Sequence, residues 1–131
     1  MILIPLTQQE VEATKRVRDI LHTKSGNVGG WCGVGSYMLV LYLGQDYHLI
    51  GSQCHWWVEN KHTRAILDAT VEQFDNWFGY EDGVELSNDL HYPFGKPFTN
   101  FDELHNNYGR EIAWALRTVA RWKWCQHKEM L

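Results

Sequence analysis

At 131 residues the chain fits a single domain, 1–131, long enough to bury a core without disulfide or metal staples. A hydrophobic fraction of 44% argues against disorder, and seven tryptophans point to broad aromatic surfaces lining a core or cleft. With 12 Lys plus Arg against 16 Asp plus Glu, the formal charge of -4 offers nucleic acid no bulk attraction. No apolar run approaches the roughly 18 residues of a membrane span. Three cysteines leave at least one unpaired, and the opening MILIPL is too short for a secretory apolar region and lacks its basic flank. A reduced, cytoplasmic setting is therefore expected.

Thr7-Gln8-Gln9-Glu10 has the S/T-x-x-E/Q form of a capping box and predicts a first helix from about Gln8. Val11, Val17, Ile20 and Leu21 fall on one face, while Lys15, Arg16, Arg18 and Asp19 line a solvated one. Ser25-Gly26-Asn27 ends that helix in a turn. Gly29-Gly30 then allow a sharp path into Trp31-Cys32. After them Val34, Met38, Leu41 and Tyr42 recur at helical spacing, so a central, buried helix is predicted from Cys32 to about Leu43. Gly35 and Ser36 permit close packing on its first turn, and Gly44 is its expected C-cap.

Past Gly44 the period becomes extended. Strands are predicted over Tyr47 to Ser52, Cys54 to Glu59 and Arg64 to Thr70, with Asn60-Lys61-His62-Thr63 as a hairpin connection between the last two. From Val71 to Phe98, aromatic residues mixed with glycine and proline predict an irregular segment folded over the core, forming a cleft wall or plugging the sheet edge. Thr99 to Asn106 is expected to hold a short helix. A final helix, Arg110 to about Gln126, places Ile112, Ala115, Leu116, Val119 and Ala120 on its apolar side. The expected fold is α+β: the cysteine-bearing helix packed on a small antiparallel sheet, with helices flanking it at both ends.

Cys32 is the residue to explain. At a helix N-terminus the free amide N–H groups and the positive end of the helix dipole favour a thiolate, and the same amides suit the oxyanion of a tetrahedral intermediate. The alternative is a small core cysteine following a loop. In the strand from Cys54, alternation puts His55, Trp57 and Glu59 on one face and Cys54, Trp56 and Val58 on the other, which leaves Cys32 rather than Cys54 as the partner of His55. Asp68 follows the apolar run Ala65-Ile66-Leu67, where a buried carboxylate needs a task; orienting an imidazole is one. Cys32, His55 and Asp68 thus supply the nucleophile, base and orienting group of a thiol enzyme. A zinc-dependent hydrolase built on His48, Cys54, His55 and His62 is a weaker reading, because no CxxC or HxxxH spacing is present.

GGWCGVGSYML, HWWVE and ILDATVEQF, in that order, resemble the core of the transglutaminase-like division of the papain-fold cysteine enzymes, in particular its small bacterial and phage members. The likeness covers roughly Gly29 to Phe74. It implies Cys32 at the start of a central helix, His55 in an H-x-W-V-E strand and Asp68 in a strand of the form D-x-T with Thr70. The implied activity is acyl transfer through a thioester, of peptidase, deamidase or transglutaminase type, on a protein, peptide or small amide or ester substrate. The extra domains and metal sites of the large calcium-dependent transglutaminases have no counterpart in this chain, and no cofactor, metal, nucleic acid or membrane partner is expected. Trp31 and Trp57 flank the nucleophile and base and either shape a substrate-binding slot or simply pack. A binding module of the same fold without catalysis, acting through the aromatic loop 74–98, is the alternative.

Overall fold

The capping box at Thr7 starts α1 (Gln8–Ser25): Thr7 Oγ1 accepts the Glu10 N–H at 3.2 Å, and Glu10 Oε1 accepts the Thr7 N–H at 2.9 Å. At its other end Gly26, with φ 86°, donates its N–H to the His22 carbonyl. The computed structural model describes residues 4–51, 55–70, 96–97 and 102–130. Over these residues the architecture is α+β, with α1, α2 (Cys32–Leu43), β1 (Tyr47–Gly51), β2 (Trp56–Asn60), β3 (Ile66–Leu67), β4 (Lys96–Pro97) and α3 (Asp102–Met130). The strands form one antiparallel sheet in the order β3-β2-β1-β4. No helix among the described residues is long and apolar enough to cross a membrane.

Because α2 is apolar on nearly every side, it is the helix the others enclose: it packs on α1, on α3 and on strands β1 and β2. Gly35 makes the α1 contact close, since a Cβ there would stand 3.0 Å from Leu21 Cδ1. The sheet register aligns Leu49, Val58 and Leu67, each at most 1% exposed, on the face that carries the core. Tyr47 and Asn60 pair on that same face and reach α1, where both donate to Glu10 Oε2, at 2.8 and 2.9 Å. Glu10 is only 1% exposed. Burial alone would raise its carboxyl, yet hydrogen bonds from Asn60, Thr7 and Tyr47 outweigh that and hold it below its ordinary value. Tyr47 is pushed up to about 12 by burial and by donating to this carboxylate.

Asn60 organises the turn into β3. Its N–H bonds the Ala65 carbonyl, its carbonyl accepts the Arg64 N–H, and its Oδ1 accepts the N–H groups of His62 and Thr63. The expected third strand, Arg64 to Thr70, shrinks to Ile66–Leu67. At Asp68 the side chain takes the Thr70 N–H at 2.9 Å, a local turn that replaces the strand ladder. Of the second expected strand, residue 54 lies outside the described residues, as do 99–101 of the short helix and all of Val71 to Phe98 except 96–97.

The short and the final helix run together as α3, joined across a kink at Tyr108 (φ -138°, ψ 37°). Ile112, Ala115 and Val119 are buried as expected, but Leu116 is 43% exposed and Ala120 is also exposed. The helix is rotated by its large rings. Trp122 stacks on Tyr42 of α2 at 3.7 Å and 7°, and Trp114 meets Trp31 edge-on at 5.8 Å. Two indoles bring more area to the interface than Leu116 and Ala120 would.

Candidate active site

Three elements deliver the three side chains. Cys32 is the first residue of α2, His55 immediately precedes β2, and Asp68 immediately follows β3. Trp31, at the N-cap of α2, makes no side-chain capping bond, so the amides of the first turn keep their polarity for whatever stands over Cys32. The antiparallel pairing of Val58 with Leu67 brings the ends of β2 and β3 together. There His55 Nε2 and Asp68 Oδ2 are 2.7 Å apart, with His55 4% and Asp68 1% exposed. The other carboxylate oxygen, Oδ1, accepts both the N–H and the hydroxyl of Thr70, at 2.9 and 3.0 Å. One oxygen of Asp68 is held by its own turn and the second bonds the imidazole.

The Cys32 thiol is hydrogen-bonded to His55 and also receives the backbone N–H of Trp56. With Nε2 committed to Asp68, Nδ1 is the ring nitrogen that faces the sulfur. Burial would push the thiol up, but the His55 and Trp56 hydrogen bonds, with the positive imidazole, bring it below its ordinary value. Burial would likewise strip the proton from His55, yet the bonds to Asp68 and Cys32 prevail and carry it up to about 9. The two shifts have opposite sign, and both favour moving the proton from sulfur to imidazole.

Trp57 is 4% exposed and stacks on the His55 ring at 5.9 Å and 23°, so it backs the imidazole from inside. Trp31 is half-buried, with its edge contact to Trp114, whose ring carries the Lys24 ammonium 5.3 Å from its centroid. Of the two tryptophans, only Trp31 keeps exposed surface beside the thiol. Cys125 is exposed on α3, in a groove of about 540 Å³ whose lining includes Arg16, Tyr42 and Trp122 but none of Cys32, His55 or Asp68.

The remaining histidines named above go to separate partners. His48 pairs with Glu59 at 2.9 Å across β1 and β2, and His62 with Asp46 at 3.0 Å. Cys54 lies outside the described residues, and among those described no three His, Cys, Asp or Glu side chains gather as a metal site. Two buried polar residues were not legible as such, Ser36 beside the site and Glu10 at the other end of β2. Glu10 reads as half of a capping box, and nothing local announces Tyr47 and Asn60 as its further partners. Ser36 reads as a small packing residue, although its hydroxyl donates to the Trp56 carbonyl at 3.2 Å. Compared with known proteins, the chain matches no family model, no curated protein and no solved structure.

Proposed function

We propose that this chain is a cysteine enzyme of the transglutaminase-like kind that transfers an acyl group from an amide or ester through a thioester on Cys32. The observation that carries this reading is the buried His55 ring, bonded to the Cys32 thiol on one side and to Asp68 on the other. The order of elements supports it as well: a cysteine opening the buried helix, a histidine at the head of one strand and an aspartate at the foot of its neighbour.

His55 takes the thiol proton through Nδ1, and Asp68 holds the resulting imidazolium through Nε2. The thiolate attacks the carbonyl carbon, and the negative oxygen that forms is held by the backbone N–H groups at the start of α2. When the tetrahedral species collapses, His55 returns its proton to the departing amine or alcohol, leaving the acyl group on sulfur. Water, an amine or a hydroxyl then takes the acyl group, deprotonated by the same imidazole.

A p-nitrophenyl ester tests the reaction directly. The expected result is a burst of nitrophenolate and an acyl mass increment on Cys32, absent from Cys32→Ala and slowed about a hundredfold or more in His55→Gln. An increment that appears equally on Cys125, or survives unchanged in His55→Gln, contradicts the assignment.

A further inference from the structure

The main chain of Trp56 is gripped from both sides by α2. Its N–H points at the Cys32 sulfur, while its carbonyl accepts the Ser36 hydroxyl at 3.2 Å. Cys32 and Ser36 are four residues apart, one turn of the same helix, so the two side chains lie one above the other along one face. Ser36 is 2% exposed. A serine inside an apolar helix ordinarily bonds back to the carbonyl four residues earlier, as Thr14 does to Glu10 in α1. The Ser36 hydroxyl instead crosses to the strand whose first residue follows His55.

We propose that Ser36 is a positioning residue for the acyl-transfer reaction: by fixing the Trp56 backbone to α2, it holds both the Trp56 N–H and the neighbouring His55 ring at the Cys32 sulfur. This rests on the function proposed above and extends it to a residue that touches no reactant. The argument is geometric. α2 and β2 are separate elements, and a thiolate-stabilising amide on the strand works only while the strand keeps its height along the helix. Packing sets that height, and the buried hydroxyl-to-carbonyl bond one turn below the sulfur adds a directional restraint to it. The Trp56 N–H and the imidazole both stabilise the charged sulfur, so loosening the anchor weakens two donors at once.

The test is the pH dependence of iodoacetamide alkylation at Cys32, followed by mass spectrometry in the full chain, for the parent, Ser36→Ala, Ser36→Thr and His55→Gln. Expected for Ser36→Ala is a midpoint raised by about half to one pH unit, hence alkylation about three- to tenfold slower at pH values below the midpoint. The limiting rate at high pH stays close to that of the parent, while the melting temperature falls by a few degrees as the buried Trp56 carbonyl loses its hydroxyl donor. Ser36→Thr, which keeps a hydroxyl, is expected to retain the parent midpoint. His55→Gln is expected to raise the midpoint further than Ser36→Ala. Should Ser36→Ala melt too low to assay under the parent's conditions, all four proteins are compared at a lower temperature where Ser36→Ala is folded, and its midpoint is read there in the same way. A Ser36→Ala profile superimposed on the parent while His55→Gln moves overturns the positioning role and leaves the triad standing. Profiles that move in neither variant overturn both. A Ser36→Thr midpoint displaced as far as that of Ser36→Ala also overturns the proposal, since packing rather than the hydroxyl would then be responsible.

Discussion

At the scale of single residues, Asp68 is the side chain on which the site depends most. It is 1% exposed and its two oxygens take His55 on one side and Thr70 on the other, so the carboxylate has no slack. Removing it in Asp68→Ala leaves a buried imidazole with its positive form unsupported. About 3–5 kcal/mol of stability should be lost in denaturant melts, and the His55 titration observed by NMR should move down from its raised position near 9. A His55 midpoint that stays near 9 in that variant would separate the ring from the carboxylate. The pairing of Asp68 with His55 was visible in the sequence because a carboxylate after an apolar run asks for a partner. The depth of Trp57 was not. Alternation puts Trp57 on the His55 side of its strand, but not how far inside the protein that side lies.

At the scale of elements, the helices were legible and the strands were less so. A capping box and a glycine bracket α1, and a continuous apolar run marks α2, because those signals are local. The third strand is shorter than its alternation predicts because the Asp68 side chain closes a local turn onto Thr70. The buried face of α3 differs from the expected one because both sides of that helix carry apolar residues, and only contact with Tyr42 and Trp31 decides between them. The least legible feature is the junction of α1 with β1 and β2 at Glu10. Its partners Tyr47 and Asn60 are 37 and 50 residues away in sequence. Glu10→Ala removes a satisfied buried carboxylate and strands the Tyr47 hydroxyl and the Asn60 amide. The expected cost is about 3 kcal/mol in a urea melt, well beyond the roughly 1 kcal/mol of a lost cap alone. The lowered Glu10 pKa also gives the parent a stabilisation that is whole above the unfolded value of 4.5 and is lost as pH falls through the folded one. Glu10→Ala should therefore show a flatter acid limb than the parent; an unchanged limb would contradict the role given to this carboxylate.

At the scale of the whole molecule, the Cys32–His55 pair ties stability to pH in two opposite ways. His55 has a folded pKa of about 9 against 6.5 unfolded, so its stabilisation is complete below 6.5 and is lost as pH rises through 9. Cys32 is lowered from 9.0, so its contribution is complete above 9.0 and is lost as pH falls through its folded value. In the parent the Cys32 slope opposes the His55 slope between the folded thiol value and 9.0, so stability falls less steeply there than the imidazole alone would make it. Cys32→Ala removes one slope and keeps the other, since Asp68 still holds the imidazolium. That variant should lose stability more steeply than the parent as pH rises from 6.5, approaching about 1.4 kcal/mol per pH unit, up to the lower folded His55 value that Asp68 alone sustains. Melting temperatures of the two proteins that run parallel from pH 6.5 to 9 would argue against a coupled pair.

The sharpest trial of the account is a direct comparison of the half-buried Cys32 with the exposed Cys125 in one sample of the folded chain. Geometry alone favours Cys125, because alkylating reagent reaches it freely; the electrostatics of the His55 pair favour Cys32. With iodoacetamide at pH 6 to 7, we predict that Cys32 is carbamidomethylated faster than Cys125, with an inflection below the ordinary thiol value. Cys125 reacting first at every pH, with Cys32 following only as the solution becomes alkaline, would contradict it.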